Sequence, residues 1–488
     1  MKKIYRYGWL LAILLLCSCK KFIEVPAPVN VISSANVFTS DQTAIAVLSG
    51  LYSDVGKGID NAGCFVGTRG LSLMLGLSAD ELTSYTTGAN YVAYYTNILA
   101  AQGSGNEYWS PLYNFVFRCN AAIEGLNEPA ADALTPAVRK QLLGEAKFMR
   151  AFFYFYLVNL YGDLPMAMTT DYKVNMLLSR VPQAKVYEQI ISDLKEARDL
   201  LADNYPDESL LKTSNERVRP TQWAAQALLA RAYLYTRDNA NAEQEATAVI
   251  NNSFLFSLPA LNEVFLKNSK EAIWQVQPTT SFFNTEDART FIIRASGPTT
   301  DSRNPVFLSS QLLASFETND QRKDLGNWIG AVNVAGTIYH YSYKYKINLG
   351  NLNITGAAAM TEYQMMLRLG EQYLIRAEAR AQLNNIAGAR EDLLAIRRRA
   401  GLADGTLTAN DKNTLLSAIL HERQVELFTE LGQRWFDLKR TGTIDAVMSV
   451  VTPIKSKGLV AWKSYQQLFP LPQSDLNKAK NLLQNQGY

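Results

Sequence analysis

Apolar positions recur every three or four residues over long stretches of this chain. From Ala137 to Gly162 the series Val138, Leu142, Ala146, Met149, Phe153, Tyr156 and Leu160 marks one face of a helix. Tyr161-Gly162-Asp163-Leu164-Pro165 ends it, with glycine at the C-terminal cap and proline just beyond. A second helix is predicted from about Pro182 to Ala202, opened by that proline and lined by Val186, Ile190, Leu194 and Ala197. The natural packing of the two is antiparallel.

Further along, the pattern repeats. Ala230, Tyr233, Ala242, Ala246 and Val249 fall at the small and large packing positions of a tetratricopeptide unit, and Ala377, Ala389, Leu393 and Ile396 reproduce the offsets of Ala230, Ala242, Ala246 and Val249. The reason is steric, because a small residue on one helix lets its neighbour approach closely. Between the helical blocks the texture changes. Residues 60–110 and 275–358 are rich in Gly, Asn, Thr, Ser and Tyr and show no helical period, and 337–347 alternates like a short strand. The expected fold is mostly α: a tetratricopeptide-like helical-repeat body with long loop excursions and a few short strands.

Composition narrows the function. With 48% hydrophobic and only 19% charged residues, the 488-residue chain is able to bury a large core. Lys2, Lys3 and Arg6 lie in the first eighteen residues; without these three of its 48 basic residues the chain has 45 basic against 45 acidic, a balance that gives phosphate backbones nothing to bind. Nucleic acid is therefore not an expected partner. The segment 1–18 combines a basic start with Trp9–Leu16, too short an apolar run to span roughly 30 Å of hydrocarbon, and reads as a signal peptide. Leu16-Cys17-Ser18-Cys19 matches a bacterial lipobox, which makes Cys19 the lipidated first residue of the mature chain and 19–30, with Pro26 and Pro28, its tether to the outer membrane. Only Cys64 and Cys119 remain in the body, enough for one disulfide but not for a disulfide scaffold.

Catalytic signatures do not assemble. His421-Glu422 lacks the second histidine of a zinc helix, the other histidine is His340, and Gly56-Lys57-Gly58 lacks the frame of a phosphate loop. No catalytic residue, metal site or cofactor is expected. The adjacent acids Asp80 and Glu81 keep an envelope glycoside hydrolase in view as an alternative, against a plain solvated turn. The excursions are instead rich in rings: Tyr85, Tyr91, Tyr94, Tyr95 and Trp109 in the first, and Phe282, Phe283, Trp328, Tyr339, Tyr341, Tyr343 and Tyr345 in the second. Flat apolar faces among short polar side chains suit a sugar, whose C–H groups stack on a ring while its hydroxyls bond to side chains. Tyr85, Tyr91, Tyr94, Tyr95, Trp328, Tyr339 and Tyr341 are the candidate ligand residues, with Tyr94, Tyr95 and Trp328 expected to be exposed and Trp109 and Lys344-Tyr345-Lys346 assigned to core.

The lipobox at Cys19, with stretches 147–166, 368–385, 421–442 and 468–488 in order, resembles the RagB/SusD family of outer-membrane lipoproteins over essentially the whole chain. The resemblance implies an N-terminal helical region at 31–265 and a C-terminal region at 266–488 that holds the loop-rich 275–358 and the helices of 368–400. It further implies a non-catalytic, surface-exposed lid that captures nutrient oligomers, usually oligosaccharide or polysaccharide and in some members peptide, for a SusC-type TonB-dependent transporter. Arg423, Glu426, Arg434, Trp435, Asp437 and Arg440 match the family's C-terminal motif and are expected to be paired, partly buried frame residues. The family's ligand residues vary, so the ring assignments rest on the aromatic argument alone.

Overall fold

The computed structural model describes residues 34–57, 64–279, 284–301, 303–348 and 359–488. The predicted signal peptide, Cys19, the 19–30 tether, Phe282 and Phe283 lie outside the described residues.

The frame is a row of antiparallel helices: α1 (Trp109–Asn127), α2 (Pro136–Tyr161), α3 (Gln183–Leu200), α4 (Gln222–Tyr235), α5 (Asn239–Asn251), α6 (Leu369–Gln382), α7 (Ile386–Arg399) and α8 (Lys412–Glu426). Each packs on the next through α7, and α8 returns to lie on α6. The predicted α2–α3 pair is present, opened by Pro136 and closed by Gly162 at φ +78°, a conformation that a residue with a Cβ resists. The periodic face of α2 underestimates its burial. From Phe148 to Tyr161 every residue but Asn159 is buried, because α1, α3, α4 and Trp274 pack around α2. Phe153 stacks on Phe115 of α1 at 4.7 Å, Phe152 meets Trp274 edge-on at 5.2 Å, and Phe155 meets Tyr235 of α4 at 4.9 Å.

The repeated unit is visible in its turn chemistry as well as its packing. Ala230, Ala242, Ala246 and Val249 in α4–α5, and Ala377, Ala389, Leu393 and Ile396 in α6–α7, are all fully buried. The α4–α5 turn places Arg237 at φ +61° and then caps α5 with the Asp238 side chain; the α6–α7 turn places Asn384 at φ +62° and caps α7 with Asn385. Two segments far apart in sequence thus solve the same helix reversal with the same backbone and the same type of cap.

Both excursions carry more structure than their composition suggests. The stretch 60–110 holds the helices Leu71–Ser78 and Ala89–Tyr95. The first is buried at every position, so it has no polar face and leaves no periodic trace. The stretch 275–358 contains short helices at Glu286–Phe291 and Ser310–Ser315 and the strands that carry the candidate site. Ala272–Val276 pairs antiparallel with Gln364–Arg368 beside α2, and both strands are buried throughout. Cys64 and Cys119 are free and buried, with no disulfide between them.

Candidate functional site

Four short strands meet at one surface: β1 (Leu82–Ser84), β2 (Val306–Leu308), β3 (Ile329–Val334) and β4 (Thr337–Ser342). The β4 strand is the one predicted within 337–347. It reverses from β3 through Ala335 and Gly336, both at positive φ, the backbone of a tight hairpin turn. β1 pairs antiparallel with β2, placing Thr83 opposite Phe307. Leu82, Val306 and Leu308 are buried, so strand alternation turns Thr83 and Phe307 outward.

Tyr339 of β4 closes over this pair. Its ring meets Phe307 at 5.2 Å and Tyr85, just past β1, at 5.9 Å, both nearly perpendicular. Tyr85 is 40% exposed, and Tyr339 and Phe307 are half-buried. Tyr341, two residues along and on the same face as Tyr339, lies across Gly330 of β3, where an added Cβ would sit 2.3 Å from the ring. Tyr341 also touches Tyr343 at 5.8 Å. Tyr95 is half-buried, with its hydroxyl on the Thr83 side chain and the Lys455 ammonium 5.2 Å from its ring centre. Tyr85, Phe307 and Tyr339 therefore form a continuous aromatic face, with Tyr341 on the same side of β4 and Tyr95 at its margin. A face of this kind offers flat apolar surface and phenol hydroxyls to a polyhydroxylated ligand.

The remaining ring candidates are core residues, which corrects the expected exposure of Tyr94 and Trp328. Tyr94 is fully buried; its hydroxyl donates to Glu107 Oε2 at 2.7 Å and its ring packs on Phe469. Trp328 is fully buried under the hairpin, its indole N–H donating to the Leu261 carbonyl at 2.9 Å. Tyr91 is buried as well. In both excursions the buried ring meets apolar partners from distant segments. Trp109 and Tyr345 are buried, as assigned. Phe307 was not among the predicted site residues; its only trace is the alternation of a three-residue strand whose outer members are buried.

Below the hairpin lies a cluster of buried ion pairs. Lys344, just beyond β4, donates to the carbonyls of Glu426 and Phe428, each at 2.8 Å, and to Glu430 at 2.5 Å, while Ser342 bonds to Thr429 at 2.8 Å. Glu426 accepts from Arg322 at 2.8 Å, from Arg368 at 2.7 Å and from Arg399. Burial alone would raise the Glu426 pKa, but Arg399, Arg368 and Arg322 outweigh it and hold the carboxyl well below the usual range. Arg423 pairs with Asp437 at 2.7 Å, Arg440 with Asp437 at 2.8 Å and with Glu378 at 2.5 Å, and Trp435 is fully buried against Trp462. These groups join α6, α8 and the helix Gln433–Arg440.

Asp80 and Glu81 belong to this frame, not to a solvated turn. Asp80 is held by both Nε and Nη2 of Arg434, at 2.9 and 2.7 Å. Burial, with the charge of Asp80, pushes Glu81 up to about 8. His421 contacts the Ser315 carbonyl at 2.7 Å. Among the described residues no group of three or more His, Cys, Asp or Glu side chains is arranged to hold a metal ion.

Comparison with known proteins agrees with the resemblance read from the motifs. A family model described as the SusD family matches residues 214–488, and one described as starch-binding, associating with outer membrane, matches residues 75–234. A SusD-like protein P2 from Formosa agariphila is 26% identical, with 100% of each chain covered. A SusD superfamily protein from Parabacteroides distasonis superposes with a TM-score of 0.74 at 23% identity, covering 92% of this chain and 99% of its own. Surface glycan-binding protein A from Bacteroides thetaiotaomicron superposes with a TM-score of 0.71 at 19% identity, covering 92% and 100%. Helical frame, C-terminal ion-pair motif and the match over more than half its length together make this chain a member of the SusD family.

Proposed function

We propose that this protein is a surface lipoprotein, anchored through Cys19, which binds glycan oligomers on the aromatic face and delivers them, without transforming them, to a SusC-type TonB-dependent transporter in the outer membrane. The observation that carries this reading is Tyr339 joining Tyr85 and Phe307 into one surface of rings drawn from three separate stretches of sequence. Its support from relatives is that structurally similar SusD-like proteins are described as glycan-binding and laminarin-binding. Among the described residues no helix is long and apolar enough to cross a membrane, so in this reading the lipid is the attachment.

Delivery limits the affinity. A few stacked rings correspond to a Kd on the order of micromolar to millimolar, tight enough to concentrate an oligomer over a channel and loose enough to release it. Catalysis has no place in this account, because the one acid pair considered for it is occupied in the frame: Asp80 is paired to Arg434 and Glu81 is buried beside it. Isothermal titration against polysaccharide and peptide panels tests the reading. Binding to at least one glycan is expected, with Tyr339→Ala weakening it about tenfold or more and no reducing ends released. Heat from peptides alone, or a Tyr339→Ala variant that binds as the parent does, would overturn it.

A further inference from the structure

Between α2 and α3 the chain makes an excursion closed at its base by pairing of Leu164-Pro165 with Arg180-Val181. Its tip carries the short helix Tyr172–Asn175. Tyr172, Val174, Met176 and Leu177 are exposed there by 69, 48, 58 and 66% respectively, and Leu483 is 73% exposed. Isolated exposed apolar residues need no explanation, but several large ones gathered on one tip do.

The tip is firmly held, so its exposure belongs to the folded state. Asp171 caps the short helix, and Asn175 donates to the Thr169 carbonyl at 2.7 Å. Asn481 donates to the Leu177 carbonyl at 2.8 Å. Arg180 donates to the carbonyls of Leu483 at 2.9 Å and Tyr161 at 3.0 Å, which fixes the Leu483 segment beside the excursion. Lys173, Lys478 and Lys480 are exposed in the same neighbourhood. An apolar tip with lysines beside it matches the interface of a membrane, where side chains enter the acyl boundary and ammonium groups meet phosphate.

The course of the chain selects that occupant. Glu124 near the C-terminal end of α1 accepts from the Thr170 N–H at 2.8 Å, at the base of the tip. The next residue, Gly125, packs directly against the Phe38 ring, which belongs to the first described segment, Ser34–Thr39. The chain therefore leads toward Cys19 from the end of α1 that also holds the tip. The residues from Cys19 to Ser34 reach at most about 50 Å when fully extended.

We infer that the Tyr172–Leu177 tip, with Leu483, inserts into the lipid surface to which the protein is tethered and sets the tilt of the body above it. This rests on the lipoprotein reading of Cys19. The experiment uses the mature chain from residue 19 carrying Cys19→Ala, free of the apolar segment 1–18, and flotation with vesicles of phosphatidylethanolamine and phosphatidylglycerol. The chain is expected to float with the vesicles, and adding Met176→Ser with Leu177→Ser should reduce this by about tenfold or more at an unchanged melting midpoint. Tyr172→Trp in the same chain should shift its emission to the blue on mixing. Equal flotation of the parent and serine variants, or no emission shift, would overturn the inference. So would serine variants that float normally but no longer co-purify with an outer-membrane protein, because the tip would then serve a protein partner. Labelling of the wild-type chain with palmitate in cells, compared with Cys19→Ala, tests the tether separately.

Discussion

Replacing Glu426 by glutamine removes the charge at the centre of the buried cluster while keeping the side chain's volume. Arg322, Arg368, Arg397, Arg399 and Lys344 face Glu271, Glu317, Asp320, Glu422, Glu426 and Glu430 there. Breaking a buried pair costs about 3–5 kcal/mol when the partner is stranded. Here Arg322 keeps Asp320 and Glu422, Arg368 keeps Glu271 and Glu430, and Arg399 keeps Glu271, so the lower end applies. Unfolding entropy for a body of this size is roughly 1 kcal/mol/K, so about 3 kcal/mol lowers the melting midpoint by about 3 °C. Differential scanning calorimetry reads this, with Glu188→Gln, in an exposed pair with Lys185, as a control that should move by less than about 1 °C. The pH dependence adds a second check. Glu426 has a depressed pKa in the folded state, so its contribution is present above the unfolded value, near 4.3, and is lost as pH falls below it. The gap between wild type and variant should therefore be full at neutral pH and narrow in acid. A shift no larger than the control's, or a gap that widens in acid, would refute the account of the cluster.

Three further outcomes follow from other buried groups. Burial pushes Asp287 up to about 6, against hydrogen bonds from the Gly67 N–H, Gln364 and Ser72; the folded state then holds its proton longer than the unfolded chain, and stability falls by about 3 kcal/mol as pH rises from about 4 to 6. Asp287→Asn should lack that fall, and urea midpoints at pH 4 and 7 that run parallel to wild type would contradict it. Gly162 caps α2 at φ +78°, ψ −130°, with Gln183 and Leu468 3.1 Å from where a Cβ would sit, so Gly162→Ala should cost about 1–3 kcal/mol in urea unfolding. Cys64 and Cys119 are buried and burial raises both thiol pKa values, so neither should react with a thiol reagent until the protein unfolds; rapid reaction in the native state would contradict their placement.

The helical frame was legible because its information is local. Small residues at Ala230, Ala242, Ala377 and Ala389 announce close helix packing, and Gly162 and Pro182 mark helix ends within a few residues of where they fall. The C-terminal motif was legible by resemblance, whereas its pairings were not. Asp80 and Arg434 are 354 residues apart, and nothing near Asp80 distinguishes a solvated turn from a partner of a buried guanidinium. The site was legible in composition only. Tyr85, Tyr339 and Tyr341 reach the surface, while Tyr94 and Trp328, in the same two excursions, are buried by Phe469, Phe265 and Phe428. Which ring becomes core depends on contacts that composition does not encode. Phe307 needs the β1–β2 register, which three residues of alternation do not establish.

That division between local and non-local information has a functional consequence. The aromatic face is assembled from Tyr85 just past β1 and the middles of β2 and β4, none of which is part of the helical row. What the face requires from below is a fixed seat, supplied by Trp328 and by Lys344 bonded to the segment after α8. Changes at Tyr85, Phe307 or Tyr339 remove partly exposed rings and leave that seat intact, whereas changes at Trp328 or Lys344 open a buried site and strand charges. Exchanging the three outer rings for other aromatic or polar residues should thus alter which oligomer binds while the melting midpoint stays within about 2 °C of the parent. A frame so insulated from the aromatic face can keep its ion pairs and repeat register constant while the rings of that face change, and a midpoint that fell as far for Tyr339→Ala as for Trp328→Ala would show that the insulation does not exist.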